Sequence, residues 1–268
     1  MATSDSPLNI RGGIKGLRFY KREGSTKTYV GAKGGANREL IRKSKKFKRL
    51  RLAQDELKGR AACAKDIRYI LGRWADRIVN RYLQTNISGV LQQVMNIDEV
   101  SKRGKRAIWL SKYKEVLNQV KWYYYKPLNE IMMCPYSVTT SDDKKTLTVT
   151  LKGLNPKRHI KAPAVASHFK LCVTIGRIAD YEVTPGSKFY QTPYGEDVCT
   201  YTELESAWIP INGPLMEELS LTVSIPENLV IKENHTIIRV LGIYFGKMTY
   251  RVDEIDRDRG SIVYLGEV

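Results

Sequence analysis

The chain has 268 residues, enough for one large domain or two modest ones, and its 42% hydrophobic content excludes global disorder. Its 45 Lys and Arg residues outnumber 28 Asp and Glu residues. The formal net charge of +17 therefore predicts attraction to a polyanion such as nucleic acid. Neither a signal-peptide core nor an apolar run of membrane-spanning length is found. We expect a cytoplasmic protein, or a virion protein if the chain is phage-derived, with no membrane partner.

The positive charge is confined to the first half of the sequence. Residues 1–121 contain 29 basic and 10 acidic residues, whereas residues 122–268 contain 16 basic and 18 acidic residues. A basic face that is simply solvated would give the same pattern. The segregation nevertheless predicts a basic half that contacts a partner and a nearly neutral half that does not use charge.

Residues 1–36 are predicted to form a hairpin arm and a Gly-rich link. Gly16–Tyr20 and Lys27–Val30 are rich in β-forming residues and flank the turn sequence Glu23–Thr26. A lone two-stranded ribbon is marginal in water, so this one must pack on its own helices, another subunit or a ligand. The link Gly31–Ala36 lacks the glycine spacing of phosphate-binding loops, which argues against a nucleotide site.

Residues 37–130 are predicted to form a basic helical domain. Asn37 is a plausible N-cap, and Arg38–Arg51 contains eight basic residues and one acid. From Leu57 to Tyr82, apolar residues recur every three or four positions, which predicts a helix of about seven turns. On such a helix, one row along its surface would contain Arg73, Arg77 and Arg81.

A second amphipathic helix is predicted at Asn86–Val100 and is followed by a compact basic turn at Ser101–Arg106. Ile108–Val120 has helical spacing and is interpreted as a third helix or an extended segment. The aromatic run Lys121–Pro127 could stack on bases, but a seam between domains is the favoured interpretation. The residues expected to face inward in the second helix are Val90, Leu91, Val94 and Ile97.

Residues 131–268 are predicted to form an antiparallel β-sandwich, jelly-roll-like in character, which makes the whole chain an α+β protein. Prolines punctuate the intervals between the strand-like stretches, as in loops that join antiparallel strands. The predicted strands are Thr146–Leu151, His168–Ile175, Ser220–Ile225 and Thr236–Phe245.

No catalytic motif is found, so we expect a protein that is not an enzyme and has no cofactor or metal. Cys63, Cys134, Cys172 and Cys199 are far apart and are interpreted as reduced, mostly buried thiols. His168 lies within a predicted strand and is interpreted as structural. The acidic stretch Asp253–Gly260 lacks the ligand order of an EF-hand, which favours a solvated or salt-bridged turn over a calcium site.

The order of motifs resembles a family of Bacteroidota proteins without an assigned activity. The similarity lies in Gly13–Lys21, Thr28–Val30, the turn Val100–Arg106 and the strand Ala166–Lys170, and it departs from the family pattern at Asp55–Arg60. The resemblance spans nearly the whole chain. It implies one shared architecture and no particular chemistry.

The function expected from these features is that of a coat- or nucleoprotein-like structural protein, which self-assembles and binds nucleic acid non-specifically through its basic half. Two alternatives remain open: a monomeric or dimeric, sequence-tolerant DNA- or RNA-binding protein, and a scaffold whose basic helices dock an acidic protein. The residues predicted to bind nucleic acid are Arg42, Lys43, Lys45, Lys46, Lys48, Arg49, Arg51, Arg60, Arg68, Arg73, Arg77, Arg81, Lys102, Arg103, Lys105 and Arg106.

Overall fold

A computed structural model describes most of the chain and divides it into two compact units, Met1–Arg51 and Leu52–Val268. This division does not fall at the predicted domain boundaries, which were placed after residues 36 and 130. The described residues are 2–4, 12–22, 25–32, 34–78, 82–183, 187, 190–191, 199–248, 252–254 and 260–266.

The first unit contains a four-stranded antiparallel sheet in the order β1-β4-β3-β2, followed by a short helix α1 at Arg38–Lys43 and a 3-10 turn at Lys45–Phe47. The predicted hairpin is confirmed, because β3 and β4 pair along their lengths. Its predicted turn lies partly outside the described residues. Two further strands that the sequence did not indicate extend the hairpin. The strands are β1 (Ala2–Ser4), β2 (Gly12–Ile14), β3 (Leu17–Lys21) and β4 (Thr28–Ala32).

The first unit buries almost nothing. Among its residues whose exposure is described, Thr28 alone is buried, and no hydrophobic side chain is. The hairpin is held by cross-strand contacts, including Tyr20 stacked on Tyr29 with ring centroids 5.8 Å apart. A sheet without a buried apolar face is at the margin of stability in water, so this unit gains from any surface that covers it.

The second helix, α2, spans Lys48–Ile70, and its predicted continuation to Tyr82 is wrong. Gly72 has a φ of +86°, a left-handed conformation that stops the helix, and a 3-10 turn follows at Trp74–Arg77. The apolar spacing runs on past the break because Trp74 and Ile78 remain buried beyond it. Arg73, Arg77 and Arg81 therefore do not form one row on a helix.

The remaining helical elements of the second unit are short apart from α3. The third helix, α3, spans Leu83–Ile97 and confirms the second predicted helix, with Leu91 and Val94 buried, Val90 half-buried and Ile97 exposed. The predicted third helix is a 3-10 helix at Lys114–Gln119. Single-turn helices follow at Leu128–Ile131 (α4) and Pro156–His159 (α5).

Two antiparallel sheets pack against each other in the second unit. A three-stranded sheet has the order β12-β6-β5, and a six-stranded sheet is built on the long pair β7 and β13. A further pair, β8 (Glu182–Val183) with β9 (Tyr190–Gln191), lies outside them. The strands of the two sheets are β5 (Tyr136–Thr140), β6 (Thr146–Leu154), β7 (His168–Ala179), β10 (Cys199–Glu205), β11 (Ile209–Pro210), β12 (Met216–Ser224), β13 (His235–Met248), β14 (Val252–Glu254) and β15 (Ser261–Tyr264).

The strand order refines the predicted sandwich. If β5, β6, β7, β12, β13 and β15 are read as strands A, B, C, E, F and G, the pairs A–B, B–E, C–F and F–G are those of an immunoglobulin-type sandwich. A jelly roll places eight strands in two Greek keys, so the immunoglobulin-type order replaces the jelly-roll expectation. The α+β class and the four predicted strands are confirmed.

The six-stranded sheet is covered on both faces. One face shares a hydrophobic cluster with the three-stranded sheet, including Phe169, Ile243 and Leu151. The other shares a second cluster with α2, α3 and the 3-10 turns, so the second unit has three layers. Gly242 makes room for the indole of Trp74, whose Nε1 donates to Thr174 Oγ1 at 2.8 Å.

Candidate nucleic-acid interface

Nine of the predicted nucleic-acid-binding residues have exposed side chains with no ion pair among the described residues. Six lie between residues 42 and 49 in the first unit, and three lie in the turn after α3 in the second. Uncompensated exposed cations of this kind are the electrostatic signature of a polyanion-binding surface. They are Arg42, Lys43, Lys45, Lys46, Lys48, Arg49, Lys102, Arg103 and Lys105.

Local hydrogen bonds fix the backbone that carries the first group of six. Asn37 caps α1 by accepting from the Glu39 N–H, and Ser44 caps the following 3-10 turn by accepting from the Lys46 N–H. The guanidinium of Arg51 donates to the carbonyl oxygens of Ile41 and Ser44, at 2.6 and 2.8 Å. Arg51 therefore braces the chain that presents its basic neighbours and is itself half-buried.

The basic turn at residues 98–107 is held by two carboxylates. Asp98 accepts from the backbone N–H groups of Val100, Ser101 and Ala107, at 3.1, 2.9 and 2.7 Å. Burial by itself would raise the pKa of Asp98, but these hydrogen bonds lower it overall. The turn is thus ordered by backbone contacts before any ligand arrives, which leaves its exposed lysines and arginine in solvent.

The second carboxylate of this turn belongs to Glu56 on α2. It accepts from the Gly104 N–H at 2.7 Å and makes a bidentate pair with Arg106. The side-chain hydrogen bonds from Arg106 hold the pKa of Glu56 below its usual range. Gly104 has a φ of +93°, and a Cβ there would lie 2.5 Å from Leu52 Cδ2, so the turn requires glycine at this position.

Several predicted binding residues make internal contacts instead. Arg106 and Arg51 brace the two basic segments, and Arg60 donates to the Ser88 carbonyl oxygen at 2.9 Å. Arg68 pairs with Asp76, and the exposed Arg73 lies 3.9 Å from Glu203. The side chain of Arg77 and the whole of Arg81 lie outside the described residues.

The aromatic run Lys121–Pro127 has two kinds of member. Trp122 is buried and stacks on Tyr264 at 5.8 Å, which is the packing role favoured from the sequence. Tyr124 and Tyr125 are exposed. Next to them is an uncharged groove of about 410 Å³ lined by aromatic, proline and asparagine side chains.

The second unit also contains a cationic cleft that the sequence did not indicate. It has a volume of about 280 Å³ and lies where α2 ends against β10. Its tyrosines come from segments more than a hundred residues apart, so no local pattern signals it. Its lining residues are Lys65, Arg68, Tyr69, Gly72, Arg73, Asp76 and Tyr201.

The other chemical groups considered from the sequence have structural surroundings. The Nδ1 atoms of His159 and His168 contact the Asn155 N–H and the Ser167 hydroxyl. Cys63, Cys134 and Cys172 are buried and Cys199 is half-buried. Within the described ranges no group of three or more His, Cys, Asp or Glu residues is arranged to hold a metal ion. The acidic stretch near residue 255 lies mostly outside them.

No described helix is both long enough and apolar enough to cross a membrane. Comparison with family models and with curated proteins finds no match to this chain. The resemblance to a Bacteroidota family therefore stays a prediction, and function is inferred from the residues and their contacts.

Proposed function

We propose that this is a non-enzymatic structural protein that self-assembles and binds nucleic acid without sequence preference through its basic N-terminal half. The observation that carries the proposal is the group of nine exposed cations without an ion pair among the described residues. Six of them fall within eight consecutive positions, residues 42–49. Lysine and arginine in this density release counterions from a phosphate backbone, and that release drives sequence-independent binding.

The lack of a base-reading element among the described residues supports the non-specific form of the proposal. The basic residues lie on a one-and-a-half-turn helix, a 3-10 turn and the start of α2, followed in the second unit by an irregular turn. A helix-turn-helix or zinc finger would place a dedicated helix in the major groove, with side chains that read base edges. Exposed lysines contact phosphates and carry no sequence information.

The self-assembly part is supported by the first unit's missing core. No described hydrophobic side chain of residues 1–51 is buried. Ile14, Leu17, Leu40 and Leu50 are instead between 41% and 53% exposed. Apolar side chains on a small sheet and helix without a core are stabilised when another surface covers them, and in this proposal that surface belongs to a second copy of the chain.

Salt-dependent binding tests the nucleic-acid part. The affinity for a fluorescent duplex is measured by anisotropy at salt concentrations between about 50 and 200 mM. Six to ten phosphate contacts would weaken binding by roughly a thousandfold or more over this interval. Salt-insensitive binding, or none, would reject this part. The variant replaces four exposed lysines by glutamine, namely Lys43, Lys45, Lys46 and Lys48.

A matched control carries the same four-charge change in the sheet region. Each lost phosphate contact lowers the slope of log K against log salt by about 0.9, so the first variant should lose about 3 to 4 units of slope. The control should lose little. Equal losses would show that net charge, and not this segment, controls binding. The control substitutions to glutamine are at the exposed residues Lys152, Lys157, Lys161 and Lys247.

Assembly is tested separately by size-exclusion chromatography with light scattering, and by negative-stain microscopy with and without nucleic acid. The double variant Ile14→Asp, Leu17→Asp should reduce the oligomer mass, whereas Leu215→Asp, at a loop residue 59% exposed in the second unit, should not. A strict monomer at high concentration would reject self-assembly while leaving nucleic-acid binding in place. Retention by acidic proteins that nucleic acid fails to displace would favour a scaffold that docks an acidic partner.

A further inference from the structure

The cationic cleft in the second unit combines cations with an open aromatic surface. Tyr69, on the last turn of α2, meets Tyr201 of β10 edge to face, with ring centroids 5.0 Å apart at 87°. Such a contact occupies at most one face of either ring. Tyr69 remains 59% exposed, so a ring surface is open to solvent beside the cleft.

Three cations line the same cleft. Lys65 is exposed one turn before Tyr69, and Arg68 and Arg73 lie on either side of the end of α2. Asp76 pairs with Arg68 at 3.2 Å, but the Asp76 side chain is 72% exposed. An exposed pair of this kind contributes about 1 kcal/mol or less, so a phosphate can displace the carboxylate from Arg68.

The cleft has a fixed floor. Glu203 accepts from the Arg73 N–H at 2.7 Å, directly after the left-handed Gly72. A Cβ on Gly72 would lie 2.1 Å from Glu203 Oε2, so the turn and β10 approach closely only because glycine is there. Arg73 is also hydrogen-bonded to the Tyr201 side chain. These contacts link the helix end to the strand and hold the two tyrosines in place.

We propose that this cleft binds one unpaired nucleotide unit, with the base stacked on Tyr69 and its phosphate held by Lys65 and Arg68. The volume of about 280 Å³ lies just below the range of sites for drug-sized ligands and is suited to a ligand of one nucleotide. An exposed aromatic ring beside a basic track is how proteins bind single strands without sequence preference. The proposal deepens the function proposed above, on which it rests, by naming single-stranded nucleic acid as the preferred form.

The preference follows from the stacking contact. In a duplex, both faces of each base are covered by neighbouring base pairs, so Tyr69 gains nothing from it. In a single strand, an unstacked base is free to cover the ring. Lysine and arginine contacts to phosphate are common to both forms. Only the single strand therefore uses all parts of the cleft.

The test measures affinity for a (dT)-type oligonucleotide and for a duplex of equal length at one salt concentration. Tyr69→Ala should weaken single-strand binding roughly fivefold to a hundredfold, the range seen when a stacking ring is removed, and leave duplex binding unchanged. Tyr69→Phe should retain wild-type affinity because the ring remains. Tyr124→Ala, at an exposed tyrosine outside the cleft, is the matched control and should change nothing.

A second variant should act in the opposite direction. Asp76→Asn removes the carboxylate that competes for Arg68, so single-strand binding should tighten by about twofold to fivefold. A purely structural role of the Arg68–Asp76 pair predicts no gain. Thymidine monophosphate, added as a competitor, distinguishes a free nucleotide from a strand: displacement at micromolar concentration would assign the cleft to a free nucleotide and overturn the strand proposal.

The outcomes separate this proposal from the general function. If the wild type binds neither form of nucleic acid, the proposed function fails. If the wild type binds in a salt-dependent way, but Tyr69→Ala has no effect or Tyr124→Ala has the larger one, the cleft proposal fails and the function stands. Circular dichroism of Tyr69→Ala checks that the exposed substitution leaves the fold intact.

Discussion

Arg106 makes a bidentate ion pair with Glu56, in which Nε and Nη2 each donate to one carboxylate oxygen at 2.8 Å. The two residues are fifty positions apart, and the pair is largely buried, with side-chain exposures of 18% and 4%. Arg106 therefore anchors the basic turn to α2, while its neighbours Lys102, Arg103 and Lys105 remain in solvent. The turn contains both a structural arginine and cations that are open to a partner.

Removing the carboxylate should destabilise the protein. Glu56→Ala leaves the Arg106 guanidinium and the Gly104 N–H without their shared acceptor, and breaking a buried pair from one side costs about 3 to 5 kcal/mol. Urea denaturation followed by circular dichroism measures the free energy of unfolding. Lys105→Ala serves as the surface control and should change it by about 0.5 kcal/mol or less. Equal effects from the two substitutions would contradict the structural role.

The same turn predicts a loss of stability in acid. The pKa of Glu56 is lowered by the Arg106 hydrogen bonds, and that of Asp98 is lowered overall by backbone N–H groups despite its burial. A group with a lowered folded-state pKa contributes stability above its unfolded value, which is about 4.3 for Glu and 3.9 for Asp. That contribution is lost as the pH falls through the folded-state value.

The thermal midpoint should therefore fall between about pH 5 and pH 3, and Glu56→Gln should fall less steeply because it cannot titrate. The two proteins are compared by differential scanning fluorimetry at fixed ionic strength. Parallel curves for the wild type and the variant would show that other carboxylates dominate acid unfolding.

A glycine in the six-stranded sheet should tolerate no side chain. In Gly242→Ala, the new Cβ would lie 2.2 Å from Cζ3 of the buried Trp74, which is held in place by its hydrogen bond to Thr174. Overpacking of this kind costs about 1 to 3 kcal/mol. Gly89→Ala in α3 is the matched comparison, since a Cβ there would meet nothing within 4 Å and alanine favours a helix by roughly 0.5 to 1 kcal/mol. Chemical denaturation should shift in opposite directions for the two variants.

The regular elements were readable from local pattern, and the exceptions have a physical cause. Strands such as Thr146–Leu154 alternate and are rich in β-branched residues, so periodicity alone locates them. The helix overrun past Ile70 arose because Trp74 and Ile78 keep the helical spacing while the backbone turns at Gly72. A glycine within an apolar pattern does not reveal whether its φ is negative or positive.

The basic surface was predictable only in part. Lys102, Arg103 and Arg106 share one short stretch, and no local feature distinguishes the last of them as internal. Its partner, Glu56, lies on another helix, and the Arg60 contact with the Ser88 carbonyl oxygen likewise joins two helices. Which cations are exposed is thus a property of the tertiary structure. The tyrosines of the cationic cleft, Tyr69 and Tyr201, were invisible for the same reason.

The basic turn yields a prediction that separates its two kinds of cation. The triple variant Lys102→Gln, Arg103→Gln, Lys105→Gln should weaken duplex binding and lower the salt slope by up to about 3 units, with the free energy of unfolding unchanged. Arg106→Gln should instead destabilise the fold, since Glu56 loses its bidentate partner. Anisotropy titrations and urea denaturation are performed on both variants. If the triple variant binds like the wild type, the turn is a solvated face, and the phosphate contacts are confined to residues 42–49.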